Sequence, residues 1–471
     1  MSKLHDKFYI NGQWQNAKGQ GRHDVIHPAT EEVVATVALG NQDDVDAAIS
    51  AARAAFDSWS TSSAEFRAEL IRKAAARLRE RREELVTAVS QSMGCPPHIT
   101  PWLQIDGPVS AFEGYADRCV DMEKVREVNN SLVVKEAAGV CAFINPWNYP
   151  LNQLMGKIAP ALAAGCTMVV KPSEQTPLQD IIVAEVLDEV GFPAGVFNLV
   201  IGLGHEVGAA LSSHPEVDVV SFTGSTRAGI LVAEAAAPTV KRVTQELGGK
   251  SAFIITEDAD LDAAVRCGVD DVMINTGQTC TALTRMLVPA SRYEEATQIA
   301  KAHTESLTVG YDNEEVYVGP MSSARQRDTV QRYIEIGMEE ATLLTGGLGA
   351  PEGLEKGFYV KPTIFSDANN DMRIAREEIF GPVLVMIPYQ DLEDAVAIAN
   401  DTPYGLSSGV YAKTKEDGIA IARRMRAGQC YVNGGGFNYD APFGGYKQSG
   451  NGREWGDEGL HEFVETKAIQ L

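Results

Sequence analysis

GVCAFINPWNYPLNQLMGKIAPALAAGCTMVVKPSEQTPLQDIIVAEVLDEVGFPAGVFNLV, residues 139–200, alternates short apolar runs with longer helical patterns. The runs at 140–144, 168–170 and 197–200 have strand length and are bounded by Gly, Pro, Asn or Lys. Between them, 177–190 places Leu178, Ile182, Val186 and Val190 on one helical face. Asp180, Glu185, Asp188 and Glu189 fall elsewhere, and Pro177 suits a first helical turn. Two more strands, at 217–222 and 243–247, carry the series to Lys250. Strand–helix units repeated at this spacing build a parallel sheet covered by helices.

Working outward, a second alternating series runs from Ser251 to about Gly436, with strands expected at 252–255, 286–288, 383–387, 409–411 and 429–432. The economical reading is an α/β fold with two successive parallel-sheet domains and a cleft between them. Ahead of both, residues 43–91 read as two amphipathic helices rich in Ala, Arg and Glu. Residues 125–136 fit neither sheet and read as a β-hairpin about Asn129-Asn130, an arm suited to pairing with another subunit.

The chain's 471 residues suggest two or three domains, and 44% apolar with 22% charged residues is a globular balance. A formal net charge of −23 without any basic run argues against nucleic-acid and anionic-membrane partners. The longest nearly apolar segment, 158–170, contains Pro160 and Gly165 and is too short to span a bilayer. The stretch MSKLHDKFYINGQW lacks the apolar run of a secretory signal. The 7 cysteines show no close pairing, which fits reduced thiols and a cytoplasmic address.

Several residues carry chemistry. Cys280 in NTGQTCTALTR follows Gly277 and lies between Thr279 and Thr281, unlike a cysteine set among apolar neighbours; the alternative is an inert packing thiol. Cys95 and His98 in GCPPH have no second ligand pair nearby, so a loop reading is favoured over a metal site. Glu246 closes an expected strand ahead of two glycines, where α/β proteins place their sites; the alternative is a solvated carboxylate. Glu378 in EEIFGPV is similar. Phe222-Thr-Gly224-Ser225 joins a strand to a helix whose N–H groups could receive a pyrophosphate, and Gly204 to Gly208 is a second, off-register glycine turn. Lys171 and Glu174 are spaced to bring a cation and a carboxylate to one ribose.

Taken in order, PWNYP (146–150), KPSEQTP (171–177), FTGS (222–225), ELGGK (246–250), GQTC (277–280), EEIFGPV (377–383) and PFGGYKQSG (442–450) resemble the aldehyde dehydrogenase superfamily. The resemblance covers nearly the whole chain, from FYINGQW onward. It implies the NAD-dependent, non-acylating branch: an aldehyde oxidised to a carboxylate through a thiohemiacetal and thioester on Cys280. In that scheme Asn148 and the Cys280 backbone N–H hold the oxyanion, and Glu246 is the general base. Lys171 is placed with the catalytic set and, with Glu174, at the adenosine ribose. Ile144, Pro146, Trp147, Gly204, Gly208, Phe222, Gly224, Ser225, Leu247, Glu378 and Phe380 complete the cofactor set.

The resemblance further implies an atypical Rossmann dinucleotide domain at 1–117 and 138–248, a catalytic domain at 249–448, and a small β oligomerisation arm at 118–137 and 449–471. A homodimer or homotetramer and no metal are expected. Tyr149, Gln153 and Phe437, with Asp440, are placed near the substrate tunnel. Asn152 and Gln153 make it more polar than in many relatives, and 432–442 is a short glycine-rich wall. The only nearby cation, Arg285, could be structural, so a neutral hydrophobic or aromatic aldehyde is expected over an acidic semialdehyde. Rival readings are a CoA-acylating or semialdehyde-specific member of the superfamily, a cysteine hydrolase, and a non-catalytic structural relative.

Overall fold

The five apolar runs of the first series become five parallel strands in the computed structural model, which describes residues 3–471. Val140–Ile144 is fully buried, as is Thr167–Lys171 beside it; a strand covered on both faces reads as a continuous apolar run. The chain lays Val140–Ile144, Thr167–Lys171 and Phe197–Leu199 side by side. It then crosses back to pair Val219–Thr223 with the other edge of Val140–Ile144, and Arg242–Glu246 follows outside it. The strand order therefore reverses at Val140–Ile144, and such a switch point opens a crevice at the strands' C-terminal ends. In register, Ile144 is opposite both Lys171 and Phe222, and Thr223 is opposite Glu246, so the motif residues share one sheet edge.

Antiparallel strands finish this sheet: Lys7–Ile10 and Gln13–Asn16 on one side, Gly450–Asn451 on the other. The segment after 448 thus first joins the sheet and enters the arm only at Val464–Gln470, which pairs along its whole length with Ser131–Ala137. Arg126–Val128 completes the arm as the expected hairpin, with Asn129 in the left-handed region at its turn. The second sheet runs Thr342–Thr345, Thr363–Ser366, Val383–Tyr389, Arg285–Pro289, Ala252–Ile255, Ser408–Tyr411, Tyr431–Val432. All its pairs are parallel except the first.

Local corrections follow from packing. Residues 43–91 form three helices, Gln42–Ser60, Ala64–Glu80 and Arg82–Met93, because the chain breaks at Arg81 without a Gly or Pro to announce it. The helix Leu178–Glu189 begins after Pro177, which serves as its N-cap position. Its expected stripe is displaced: Leu178, Ile182 and Val190 are half-buried, whereas Gln179 and Asp180 are fully buried. This helix is packed against Arg82–Met93 on one side and Phe197–Leu199 on another, so no single face is its core face. Burial pushes the Asp180 carboxyl up to about 8, with the Gln179 amide opposing the shift. Among the described residues no helix is long and apolar enough to cross a membrane.

Candidate active site

Cys280 is delivered by a strained turn. After the helix Leu261–Met273 ends, Asn275, Thr276 and Gly277 hold φ of 51°, 58° and 68° in succession. For a β-branched residue such as Thr276 that conformation costs on the order of 1–3 kcal/mol. A lattice of polar contacts holds it: Thr276 Oγ1 donates to the Gly319 carbonyl at 3.0 Å, and Asn275 Nδ2 to the Asn148 carbonyl at 3.1 Å. Gln278 Oε1 accepts from Ser322 N at 2.8 Å. Gly277 has no room for a side chain, since a Cβ there would stand 2.0 Å from the Gly381 carbonyl oxygen. The two glycines after Glu246 serve close approach as well. A Cβ at Gly248 would lie 2.5 Å from Glu378 Oε2, and one at Gly249 2.5 Å from the Cys280 carbonyl.

Two cavities meet at the thiol. One, of about 260 Å³, lies at the C-terminal edge of the first sheet and is lined by Pro146, Trp147, Asn148, Gly224, Ser225, Glu246, Leu247, Glu378 and Phe380 among others. The other, of about 400 Å³, is a largely aromatic tunnel that includes Tyr149, Gln153 and Phe437. Among the described residues Cys280 alone lines both.

Around it the polar groups are sparse. Asn148 is buried, and its Nδ2 donates to the Gln278 carbonyl at 2.9 Å, leaving its second amide hydrogen free. Glu246 is 4% exposed and neither carboxyl oxygen has a hydrogen-bond partner. Burial, then the neighbouring Glu454 charge, pushes its carboxyl well above the usual range, with Lys157 and Arg453 opposing. Burial likewise pushes the Cys280 thiol up, helped by the carboxylates of Glu378, Glu246 and Glu454. Glu378 Oε1 accepts from Gly249 N at 2.9 Å, and burial raises its carboxyl to about 7. Phe380 holds a positive φ of 59° and meets the Trp147 ring edge-on at 5.5 Å.

Some predicted residues lie outside this cleft but on the same sheet edge. Lys171 is buried and donates to the carbonyls of Pro172 and Gly202 at 2.7 and 2.8 Å, with Glu174 Oε2 at 3.5 Å. A Cβ at Gly208 would touch Ile144 and Lys171 at 3.9 Å, whereas Gly204 faces open space. Phe222 packs under the turn, 2.6 Å from a Cβ built on Gly224. Ser225 caps the helix Thr226–Ala236 by accepting from Ala228 N. Two expectations are corrected. Asp440 does not line the tunnel; it pairs with Arg118 at 3.1 Å. Arg285 is buried and spent on the Lys250, Ile398 and Ala399 carbonyls and on Asn370, so it is structural.

Sequence reasoning missed the Lys157 network. Its ammonium is buried at 2.7 Å from both Glu454 Oε1 and Thr223 Oγ1, the latter on the residue paired with Glu246 in the sheet, and its charge acts on the Glu246 carboxyl. A single charged residue, Lys157, within the mostly apolar helix Pro150–Ala164 was the available signal. Gln326, which donates to the carbonyls of Ile379 and Phe380, was also missed. No group of three or more His, Cys, Asp or Glu placed to hold a metal occurs among the described residues.

The donor set fits a dinucleotide on three counts: a buried, partnerless carboxylate in the cleft, a capped helix start at Gly224-Ser225, and a carboxylate–ammonium pair farther along the edge. Comparison with known proteins agrees in kind. The model of the aldehyde dehydrogenase family matches residues 14–469. A 3-succinoylsemialdehyde-pyridine dehydrogenase from a Pseudomonas species is 50% identical over 98% of both chains. Among solved structures, aldehyde dehydrogenase C of Pseudomonas syringae, as a mutant in complex with NAD+ and octanal, is similar with TM-score 0.95 and 47% identity over 99% and 96% of the two chains. A Mycobacterium tuberculosis aldehyde dehydrogenase complexed with NAD+ is similar with TM-score 0.97 and 43% identity over 100% and 99%. This chain belongs to the aldehyde dehydrogenase family.

Proposed function

We propose that this aldehyde dehydrogenase oxidises a hydrophobic or aromatic aldehyde to its carboxylate with NAD, through a thioester on Cys280 that water hydrolyses with Glu246 as base. The observation that carries the reading is that Cys280 alone joins the aromatic tunnel to the cleft holding Asn148 and a partnerless Glu246. The NAD+ complexes of the similar proteins support the choice of cofactor.

The resting thiol is neutral, because burial and nearby carboxylates raise it, so its proton must leave as the sulfur attacks. Glu246 has no other bond to surrender and takes that proton. Sulfur adds to the aldehyde carbon, and the new oxyanion is held by the Cys280 N–H and the free Asn148 amide hydrogen. Bound NAD supplies the hydride acceptor. What remains on Cys280 is a thioester; once Glu246 has passed the thiol's proton to solvent, it draws a proton from water as the hydroxyl attacks the acyl carbon. The C–S bond breaks, Glu246 returns that proton to the sulfur to restore the thiol, and the acid leaves and ionises to the carboxylate.

Pro146, Trp147, Leu247, Glu378 and Phe380 would hold the nicotinamide end, Gly224 and Ser225 the pyrophosphate, and Lys171 with Glu174 the ribose. Ile144, Gly204, Gly208 and Phe222 shape the adenine side. Lys171 in this reading positions Glu174 and the backbone and does not touch reacting atoms. The tunnel lining contains no Lys or Arg, which disfavours an anionic substrate, and the octanal and pyridine-bearing semialdehyde in the relatives' names share a hydrophobic or aromatic body. Seven free cysteines support a cytoplasmic address. The arm, with Val125, Val128, Ile469 and Leu471 exposed, supports a homodimer or homotetramer. The test is kcat/KM for benzaldehyde, hexanal and succinic semialdehyde with NAD. Higher values for the first two are expected, and a clear preference for succinic semialdehyde overturns the substrate class.

A further inference from the structure

The tunnel wall carries a charge that the reaction at Cys280 does not use. Asp271, two residues before the end of the helix Leu261–Met273, is half-buried and lines the cavity that ends at Cys280. Its Oδ2 accepts from Leu283 N at 2.7 Å, and its Oδ1 has no partner. Of the three phenols that feel its charge, two donate to other acceptors and the third is bonded to a threonine hydroxyl. Tyr149 bonds Thr279 Oγ1 at 2.9 Å, Tyr317 donates to the Asp270 carbonyl at 3.2 Å, and Tyr431 donates to Gln429 Oε1 at 2.9 Å. Asp270, the adjacent carboxylate, is already paired with His303 at 2.7 Å. Burial raises the Asp271 carboxyl to about 6, which leaves it ionised at neutral pH and above.

A carboxylate with one free oxygen, on a cavity lining it shares with Tyr149, Tyr317 and Tyr431 and without any lining Lys or Arg, is complementary to one chemical feature. A cation gains a charge-assisted hydrogen bond from the oxygen and attraction from the ring quadrupoles. An anion gains neither. We propose that Asp271 is a specificity-determining subsite for a protonated nitrogen at the far end of the aldehyde, so that the tunnel selects a cationic amine-bearing aldehyde over its uncharged isostere. Trp102 and Phe437, both exposed on the tunnel lining, give that nitrogen an aromatic entry, and the chain's net charge of −23 draws cations towards it. The proposal rests on the reading that Cys280 is the nucleophile and the tunnel the substrate path; it keeps the hydrophobic or aromatic body and replaces the neutral distal end expected from the sequence with a cationic one.

The experiment compares two aldehydes of matched shape, 4-(dimethylaminomethyl)benzaldehyde and 4-isobutylbenzaldehyde, in the holoenzyme with NAD at pH 7.5. The parent should favour the amine about tenfold or more in kcat/KM, expressed mainly in KM, as a hydrogen bond to a charged group allows. In Asp271→Asn, which keeps an oxygen for Leu283 N, that ratio should fall to near one. A merely structural Asp271 would instead lower both substrates together and leave the ratio unchanged, which overturns the proposal. A parent ratio of one or less overturns it without any variant, so a poorly folding Asp271→Asn does not protect it. Failure of the underlying reading looks different: neither aldehyde is oxidised, or oxidation survives Cys280→Ser, and both proposals then fall.

Discussion

Replacing Glu246 by Gln separates two consequences of one buried carboxyl. The side chain is 4% exposed, neither oxygen is hydrogen-bonded, and a Cβ on Gly444 would stand 2.7 Å from Oε1, so the carboxyl is closely packed on that side. Gln is isosteric and removes only the charge and the proton-accepting capacity. Loss of a positioned general base costs about 10²–10⁴ in the step it serves, or roughly 3–5 kcal/mol of barrier. Deacylation needs that base most, so the variant should release a burst of NADH and then stall with an acyl adduct on Cys280. Stability should move the other way. The folded-state carboxyl titrates above its unfolded value, so the folded protein binds more protons. Stability therefore falls as pH rises from about 4.5 through the raised folded-state value. An ionised group buried without a partner costs about 1–3 kcal/mol or more, so Glu246→Gln should be the more stable protein at pH 8. The two proteins should converge as pH drops towards the unfolded value. Rapid-quench mass spectrometry and melting curves of the ligand-free protein from pH 5 to 9 read both effects. Steady turnover without an adduct refutes the base, and parallel stability–pH curves refute the buried, partnerless carboxylate.

Four further outcomes are expected. Cys280→Ser should abolish turnover while NAD binding, followed by fluorescence titration, stays near that of the parent; normal turnover removes the nucleophile assignment. Glu174→Ser should shift the NADP-to-NAD ratio of kcat/KM towards NADP by about 10- to 150-fold, since a carboxylate beside a 2′-phosphate is repelled by several kcal/mol before Lys171 and side-chain rotation relieve part of it. An unchanged ratio means that Glu174 is not the selector. Gly277→Ala forces a Cβ against the Gly381 carbonyl at a φ of 68°, so activity should collapse well before the melting temperature does. Near-parental kcat in that variant would show that the turn tolerates relaxation. Light scattering at micromolar concentration should give a dimer or tetramer mass, and a monomer contradicts the role of the arm.

What was legible in the sequence follows the range over which each residue's role is decided. Val140–Ile144 is buried on both faces by its own sheet and helices, so five consecutive apolar residues announced it to the residue. Thr342–Thr345 is mostly half-buried and is separated from Thr363–Ser366 by a glycine-rich excursion at 346–362, so no period marked either strand. Arg81 breaks two helices with an ordinary backbone conformation and no breaker residue, and the pattern ran straight through it. Around the thiol the same division holds. Gly248, Gly249 and Gly277 are demanded by contacts with Glu378, Cys280 and Gly381, and backbone demands of that kind leave a glycine in a short motif. The motifs in turn located Asn148, Glu246 and Cys280 on the cleft. Lys157 and Glu454 stand 297 positions apart, and each alone reads as a solvated charge until the fold closes them to 2.7 Å. Asp271 is the same case with more at stake. As a sequence letter it is one of two acids at a helix end; only when Tyr149, Tyr317 and Tyr431 arrive from three other segments, each bonded to a partner other than Asp271, does its free oxygen acquire a meaning. Chemistry at the reacting carbon is written in local turns, whereas choice of substrate is written in side chains that only the tertiary fold brings to one wall.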